Sequence, residues 1–526
     1  MTDLQPDEAS KKGTLKSSFD KTLVIIPIVL VAVLSLWFFT NPEGSLEALN
    51  NFGNFFVAKT GWFFLLFSVF MVCFSGWWAF GKYGKVRLGG RDAQPAYTMS
   101  AYVMMLFSAG MAAGSVIFSM SEWIYYYTGP PWGIEPQSLE AAEMALPYAY
   151  YNWGIGVSCL NMLLAIPFCY SYYIKKNPSL QLGDVAVALI GSQKKSSQIA
   201  AKIINLVFIV CVLGSLSCTM GLGIPNISKC ISVVFGFKNE LLVSVIFTLL
   251  IAAIFSFSSY LGISKGLQKL SQINIIWAFI FLALMLFGGS TLFIFDNITN
   301  SLGLMIQNYV RMAFNADAVF GRGFGQAWSV FFYCYAWGFV AMTAVVIVKV
   351  SYGRTFREMI LGNTLAISAG LWVLFGINSS NGMALQLQGK VDVAGILQTK
   401  GQHEAVIAIL RESILGPTMG VLAFTVMMVL FVATTMDAAS LALAGASTKN
   451  LKLNEEPRPL LRLIWCLVLT AVPLTLTFLG AGLNSLQSLC NLIGWPIMII
   501  GIYILIKTVK LAKAEKIDKD PALTAR

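Results

Sequence analysis

Four aromatic side chains, spaced two residues apart, are the first feature of the sequence that could do chemistry. Tyr333, Tyr335, Trp337 and Phe339 lie near the middle of one apolar stretch, residues 326–350. In membrane helices, aromatic residues usually collect at the two interfaces, where their polar edges meet water. Clustering at mid-depth therefore indicates a site lined by ring faces, although large rings that simply pack between helices would give the same pattern.

Two acidic side chains and a pair of hydroxyls lie inside other apolar stretches. Glu122 and Asp437 are functional candidates because charge is expensive inside a bilayer, although each could instead cap a helix end or nearby backbone. Thr434 and Thr435 offer two hydroxyl oxygens, which suit a small hard cation in a membrane. Such a pair can also hydrogen-bond to its own helix, so both interpretations stay open.

These residues belong to a chain that is predicted to cross a membrane many times. Of its 526 residues, 57% are hydrophobic and 12% are charged, which is more apolar than a soluble globular protein. The predicted fold class is therefore an all-α membrane protein. Apolar runs long enough to cross about 30 Å of hydrocarbon predict twelve spans, at about 22–40, 61–80, 99–127, 146–173, 198–235, 240–262, 271–295, 326–350, 358–381, 417–446, 458–480 and 484–508.

The basic residues predict how the chain is oriented. The formal net charge is +11, and it lies in short loops such as 82–91 and 349–357. With twelve spans, these basic loops all fall on one side, which the positive-inside rule assigns to the cytoplasm together with both termini. We therefore interpret the charge as topology in a cell membrane, and not as a nucleic-acid surface. Residues 1–21 are polar, so no cleavable signal peptide is expected.

The reactive side chains are few and scattered. The nine cysteines form no C-x-x-C pair, and His403 is the single histidine, so a zinc cluster, a disulfide framework and a histidine-based nucleophile are not expected. Isolated acids without a buried histidine give little from which to build a membrane-embedded enzyme. A channel or an osmosensor would be favoured by long charged termini, whereas the tail after Lys507 is short. No enzymatic activity and no organic cofactor are predicted.

Several motifs, spread over most of the chain, together resemble the betaine/carnitine/choline transporter family. The aromatic run after Trp328 is followed by a basic residue and the pattern S-x-G-R-T-x-R-E. The residues that carry this resemblance are Lys349, Ser351, Gly353, Arg354, Thr355, Arg357 and Glu358; Glu122 after Gly110 to Gly114; Asn152-Trp153-Gly154; Gly262-x-x-Lys265-Gly266 with Ser271 and Asn274; and Phe431-x-x-Thr434-Thr435-x-Asp437.

The resemblance implies a leucine-transporter-like fold, with two five-helix halves in an inverted repeat behind two extra N-terminal helices. Glycine-interrupted segments in spans three and eight agree with a site at the membrane midplane. An amphipathic helix over 297–314 is predicted to lie on the membrane surface, and the resemblance implies that it helps to join a homotrimer. The expected segments are a cytoplasmic N-terminus (1–21), two accessory helices (22–98), the first repeat (99–295), the surface helix and loop (296–325), the second repeat (326–508) and a short cytoplasmic tail (509–526).

The family further implies a quaternary ammonium or related zwitterionic substrate, which has no N–H to donate and is held by ring faces at about 0.5–2 kcal/mol each. The expected substrate-binding residues are Trp153, Ser158, Asn161, Gly110, Gly114, Tyr333, Tyr335, Trp337 and Phe339. Ser158 and Asn161 replace aromatic residues of the family, so an amino-acid-like zwitterion stays an alternative, as does Trp337 taking over a missing ring's role. Gly114 stands where choline-type relatives carry an acid, which favours a zwitterion.

The resemblance also implies cation-coupled secondary transport by alternating access. The expected sodium ligands are the carbonyls of Ser108, Met111 and Phe431 and the hydroxyls of Thr434 and Thr435. A possible second sodium site uses Ser215 and Thr219, four residues apart on one helix face, with Met342 where the family has an aromatic residue. The expected gating residues are Glu122, Asn274 and Asp437. Asn274 is uncharged where cation-independent relatives are basic, which favours symport, while sodium-independent exchange remains the alternative.

Overall fold

The computed structural model describes residues 19–110, 113–191, 194–262, 266–449, 451, 455–478 and 482–524. Within these ranges the regular structure is helical, apart from three isolated β-bridges. The predicted N-terminal segment 1–21 therefore falls almost entirely outside the described residues. The confirmed fold class is that of an all-α membrane protein.

The helices in the described ranges follow one another in this order: α1 Lys21–Thr40, α2 Pro42–Phe80, α3 Met99–Gly110, α4 Ala113–Thr128, α5 Leu139–Asn152, α6 Ile155–Leu160, α7 Met162–Cys169, α8 Leu182–Ile190, α9 Lys195–Phe235, α10 Glu240–Leu261, α11 Gln268–Gly288, α12 Thr291–Ala313, α13 Phe331–Val350, α14 Phe356–Leu387, α15 Val393–Lys400, α16 Gln402–Arg411, α17 Gly416–Ala446, α18 Pro459–Phe478 and α19 Leu483–Ala514. Short π-helical turns precede α13 and follow α7.

In the described part of the chain, ten helical segments are long and apolar enough to cross a membrane by themselves. The two other predicted spans correspond to α3 with α4, on either side of residues 111–112, and to α18. One span, Leu139–Ile174, is broken at Trp153 and Gly154 and again at Asn161, between α6 and α7. Such breaks free backbone groups and change the direction of side chains, and in membranes they are tolerated where they border a cavity.

The predicted boundary between residues 295 and 296 is corrected by the structure. It falls inside α12, which begins at Thr291 rather than at 297. The chain turns earlier because α11 ends in Gly288 and Gly289, and a side chain on Gly289 would overlap the Asn381 amide. The predicted surface helix is therefore longer than expected, and it begins directly after α11.

Both described ends of the chain lie on one face of the bundle. Phe19 pairs with Thr448, and the Asp20 N–H donates to the Ser447 carbonyl at 2.8 Å. At the other end, Lys175 pairs with Glu515, and Gln181 of the same loop donates from its amide to the Gly445 carbonyl at 3.1 Å, close to Ser447. A chain whose two ends share a face crosses the membrane an even number of times, which agrees with the parity of twelve spans.

Two glycines fix how α13 is rotated in the bundle. A side chain at Gly338 would overlap Ser215 of α9, so the two helices approach closely at this point. On another side, Gly494 of α19 leaves room for the Trp337 ring, with its ideal Cβ 3.0 Å from Cδ1 of that ring. These two contacts decide which residues of α13 face the interior cavity.

Candidate functional site

A cavity of about 1340 Å³ runs from one membrane face to mid-depth. Lys349, Glu358 and Glu455 border its mouth, on the face that holds the described chain ends, and Trp153 and Phe332 line its deep end. Through the described lining residues, the deep end is thus connected to the side on which Lys349, Glu358 and Glu455 lie.

One face of α13 forms a wall of this cavity. Phe332, Tyr335, Phe339 and Met342 line it, at intervals of three and four residues, which is the spacing of side chains on one side of a helix. Phe332 was missed by the sequence analysis. The helical spacing could have identified it. Positions 332, 335 and 339 lie on one face of a helix, whereas the predicted positions 333, 335, 337 and 339 do not.

Tyr333 and Trp337 lie outside the cavity lining, which corrects the predicted substrate-binding set. The Tyr333 hydroxyl is hydrogen-bonded to the Tyr151 hydroxyl at 2.6 Å. The Trp337 ring packs against Phe67, with 5.9 Å between ring centroids. Both side chains are buried, so they act in the packing of α13 against its neighbours and not in the cavity wall.

Trp153 is held by a hydrogen-bond network behind the cavity. Its indole Nε1 donates to Oε2 of Glu122 at 2.6 Å, and the Tyr126 hydroxyl donates to the other carboxylate oxygen. The Asn152 amide in turn donates to the Tyr126 hydroxyl at 2.7 Å. Glu122 is fully buried and is bonded to side chains rather than to a helix end, so it positions Trp153 instead of capping backbone.

The Trp153 ring belongs to an aromatic cluster at the deep end of the cavity. Its centroid lies 4.8 Å from that of Phe332 and 5.3 Å from that of Phe375. Phe118 closes the cluster at 5.2 Å from Phe332. The cluster thus joins Trp153 to rings from α4, α13 and α14, and of these rings Phe332 shares the cavity wall with Trp153.

The Tyr335 hydroxyl occupies the space beside Gly114. A methyl group at Gly114 would lie 2.6 Å from that oxygen, so the glycine admits the tyrosine where an acid would displace it. The same hydroxyl is hydrogen-bonded to Oγ1 of Thr219 at 2.6 Å. Ser215 packs its Oγ against Gly338 and, within the described residues, has no hydrogen-bond partner for it. Of the predicted second sodium pair, Thr219 is thus bonded to Tyr335, and Ser215 lies at the contact between α9 and α13.

Ser158 and Asn161 add polar groups to the cavity wall. The Ser158 hydroxyl is hydrogen-bonded to the Ser368 hydroxyl of α14 at 3.1 Å. Asn161 is half-buried at the break between α6 and α7. An amide and a hydroxyl can each donate or accept a hydrogen bond, so this corner offers partners for a polar group.

Part of the predicted sodium site lies on the opposite side of the cavity. Phe431, Thr434 and Thr435 all line it, together with Asn274 of α11. Both threonine hydroxyls donate to the Phe431 carbonyl, at 3.1 and 2.7 Å, and the Asn274 amide donates to Oγ1 of Thr434 at 3.1 Å. The hydroxyls thus donate their protons to their own helix, and their oxygens keep acceptor lone pairs, so these bonds are compatible with an ion site.

The other predicted groups of this region come from the middle of span three, where α3 ends. Ser108 lies in the last turn of α3, and Gly110 is its final residue. Met111, like Lys265 of the family motif, lies outside the described residues. The structure therefore brings Phe431, Thr434, Thr435 and Asn274 together.

Asp437 is paired with an arginine that the sequence analysis did not single out. Nη2 of Arg462 lies 3.2 Å from Oδ1 of Asp437, and both side chains are buried. The hydroxyls of Ser258 and Ser259 also donate to the carboxylate. This network joins the end of α10 to α17 and α18, and Arg462 was overlooked because it was counted among the basic residues of a loop.

A many-span helical bundle with a mid-depth cavity open to one face is the architecture of a small-molecule transporter. Residues 22–517 match the family described as "BCCT, betaine/carnitine/choline family transporter". The chain therefore belongs to the betaine/carnitine/choline transporter family, and it is a transporter rather than an enzyme.

Two curated relatives show how far this similarity extends. The chain is 31% identical over 449 residues to a protein named "Carnitine transporter" from Acinetobacter baumannii, and the match covers 85% of this chain and 80% of that protein. It is also 31% identical over 422 residues to the "Uncharacterized transporter YeaV" of Escherichia coli K12, with 80% and 87% covered. Both matches extend over most of each chain.

Proposed function

We propose that this protein carries a zwitterionic quaternary ammonium compound of the betaine or carnitine type across the cell membrane, coupled to a cation. The observation that carries the proposal is the aromatic wall formed by Trp153, Phe332, Tyr335 and Phe339 in a single cavity. Ring faces attract an ammonium group that cannot donate a hydrogen bond. The similarity to a relative named as a carnitine transporter supports the same substrate class.

The charges of the cavity favour a zwitterion over a bare cation. Among the described lining residues, the ionisable acids and bases are Lys349, Glu358 and Glu455, all at the mouth. The acid nearest to the deep end is Glu122, which lies behind Trp153 and is already bonded to the Trp153 indole and the Tyr126 hydroxyl. A bare cation would therefore find no carboxylate in the described wall of the deep end, and burying it there is costly. A betaine-like substrate brings its own carboxylate, and Ser158 and Asn161 offer polar partners for it.

The coupling ion is proposed to be sodium, held by Thr434 and Thr435 with the Phe431 carbonyl. The support for this is the grouping of three oxygen-bearing residues on the cavity wall beside Asn274. An ion drives transport only if it binds one conformational state better than the other. The predicted ligands come from α17 and from the middle of span three. A movement of one of these elements relative to the other would change how many oxygens reach the ion, which would provide that difference.

Localisation and assembly belong to the same proposal. We place the face with Lys349 and the described chain ends in the cytoplasm, in agreement with the basic loops. The proposal of a homotrimer is based on α12, because its side chains Leu292, Phe295 and Ile306 are exposed. These apolar side chains would contact either lipid or a neighbouring protomer.

The first test is uptake of labelled betaine and carnitine into proteoliposomes, with and without an inward sodium gradient. We expect saturable, sodium-stimulated uptake. In Thr434→Ala, half-maximal uptake should need about tenfold more sodium, because a polar contact to a charged group is lost. Thr425→Ala is the matched control, since Thr425 donates to its own helix in the same way but lies outside the cavity lining.

Three results would contradict parts of this proposal. Uptake that needs a preloaded related compound and ignores sodium would make the protein an exchanger. Transport of amino acids but not of betaine or carnitine would favour the second candidate, an amino-acid symporter, for which Ser158 and Asn161 are the supporting residues. Equal effects of Thr434→Ala and Thr425→Ala would remove Thr434 from the ion site.

Two tyrosines of α13 test which residues form the cavity wall and which only pack against other helices. Tyr335→Phe should weaken substrate binding about fivefold, because the hydroxyl that fixes this ring to Thr219 is worth about 1 kcal/mol. Tyr333→Phe removes an equally buried hydroxyl that bonds to Tyr151 outside the cavity, and it should leave affinity unchanged. Titrating the intrinsic fluorescence of each purified variant with substrate measures both affinities. Equal losses would contradict the assignment of the two faces.

A further inference from the structure

The cavity has apolar walls that continue sideways to the surface that contacts lipid. Its lining includes Met104 of α3, Phe279 of α11 and Leu365 of α14. These side chains are 55, 55 and 56% exposed, respectively, although they belong to membrane-spanning segments. Side chains of three spanning helices that line the cavity and are also half exposed are where an opening towards the bilayer would lie, and that opening is part of the inference argued below.

The opening lies between α3 and α11. On its other side α3 packs closely on α14, because Gly362 and Gly370 leave room for the rings of Tyr102 and Phe107. Towards α11, the Phe107 ring stacks on Phe279 with 6.5 Å between centroids. We call the apolar gap along this ring pair, bordered by Met104 and Leu365, the side slot.

The chemistry of the side slot suits a hydrocarbon chain better than water. Its described borders are methionine, phenylalanine, leucine and valine side chains, whose contact with water is unfavourable. The whole cavity also exceeds the roughly 300–1,000 Å³ of sites for drug-sized ligands. A compact betaine held at Trp153 and Phe332 would leave the slot unfilled.

We infer that the cavity binds amphiphilic zwitterions, with the quaternary ammonium head at Trp153 and Phe332 and an acyl chain leaving through the side slot into the membrane. An acylcarnitine has this chemistry. The inference rests on the proposed function, since it uses the same site for the head group. Such a compound competes with the short substrate, because both need the same rings.

Contacts between the side slot and the acyl chain contribute to the affinity of the protein for the ligand. Each methylene that is fully buried contributes about a fourfold gain in affinity, so a long chain raises affinity even when only part of it lies in the slot. If the acyl chain lay outside the protein, its partitioning into the membrane would raise the apparent affinity equally for every variant. A variant that narrows the slot therefore separates recognition by the protein from partitioning.

The test is displacement of labelled carnitine from the protein in nanodiscs of phosphatidylethanolamine and phosphatidylglycerol, which contain no quaternary ammonium. Acetylcarnitine, octanoylcarnitine and palmitoylcarnitine are the competitors. Ala369→Trp narrows the slot from an exposed position of its lining. Ile276→Trp places the same side chain at an exposed position of α11 outside the lining. We expect palmitoylcarnitine to compete at least about tenfold more strongly than acetylcarnitine in the wild type and in Ile276→Trp.

In Ala369→Trp we expect this ratio to fall below about threefold. Equal potency of the three competitors in the wild type, or a ratio that Ala369→Trp leaves intact, would overturn the inference. Lysophosphatidylcholine distinguishes two sources of the ligand. If lysophosphatidylcholine also displaces carnitine and Ala369→Trp weakens that displacement, the site accepts choline-type lipids as well. If only acylcarnitines displace carnitine, the site is specific for carboxylate zwitterions. Both outcomes support the slot. An absence of displaceable carnitine binding in the wild type would instead contradict the proposed function, and the inference with it.

Discussion

Replacing Trp153 with leucine is expected to weaken binding of a betaine or carnitine substrate about thirtyfold. One ring face over an ammonium group contributes up to about 2 kcal/mol when it is desolvated, and 1.4 kcal/mol corresponds to tenfold in affinity. The change also removes the indole donor from Glu122, which is fully buried. An unpaired buried acceptor costs a further 1–3 kcal/mol or so of folding free energy, so the variant should also be less stable.

Two further variants separate these effects. Trp153→Phe keeps a ring face but loses the indole N–H, so it should retain most of the affinity and show the loss of stability. Trp372→Leu is the control, since Trp372 donates from the same indole nitrogen to the Tyr150 carbonyl at 2.9 Å but lies outside the cavity lining. Substrate titrations and thermal unfolding of the detergent-solubilised proteins measure the two quantities. Weaker binding in Trp372→Leu equal to that in Trp153→Leu would remove Trp153 from the substrate site.

The number and order of the membrane spans could be predicted from the sequence because length and apolar composition decide them locally. The twelve predicted runs correspond to single helices or to groups of two or three consecutive helices of the structure. The errors lie at boundaries, where small residues intervene. Gly288 and Gly289 end α11 before the predicted position, since the chain there must pass close to Asn381.

The rotation of α13 could not be predicted in the same way. The sequence shows aromatic residues on two sides of the helix, and only contacts with other helices decide which side lines the cavity. Gly338 against Ser215 and Gly494 beside Trp337 make that choice. A stricter use of the helical period would have grouped Phe332 with Tyr335 and Phe339, although it would not have told which group faces the substrate.

The partners of the buried acidic residues also could not be predicted from the sequence. A carboxylate inside an apolar stretch can be recognised at once, but its partner lies elsewhere in the chain. Glu122 is bonded to Trp153, and Asp437 to Arg462 of the next helix. Since Arg462 stands near other basic residues of a loop, its sequence context indicates topology, and burial in the folded bundle is what identifies it as an ion-pair partner.

Arg462→Ala should be the most destabilising single substitution in this network, by about 3–5 kcal/mol, because it leaves a buried carboxylate without its counter-charge. The Asp437 side chain is fully buried and the Arg462 side chain nearly so. The remaining donors, Ser258 and Ser259, are neutral and cannot replace the charge. Denaturant unfolding of the purified protein measures the change, and Arg458→Ala is the control, since Arg458 is an exposed arginine near the start of the same helix.

The double variant Asp437→Asn with Arg462→Met decides what the ion pair is for. Removing both charges together avoids the unpaired carboxylate, so most of the lost stability should return. If stability returns but sodium-stimulated uptake stays low, the ion pair serves the conformational change of α10, α17 and α18, as expected for a gating residue at Asp437. If uptake returns as well, the pair is a packing element and Asp437 has no gating role. A double variant as unstable as Arg462→Ala would contradict the pairing itself.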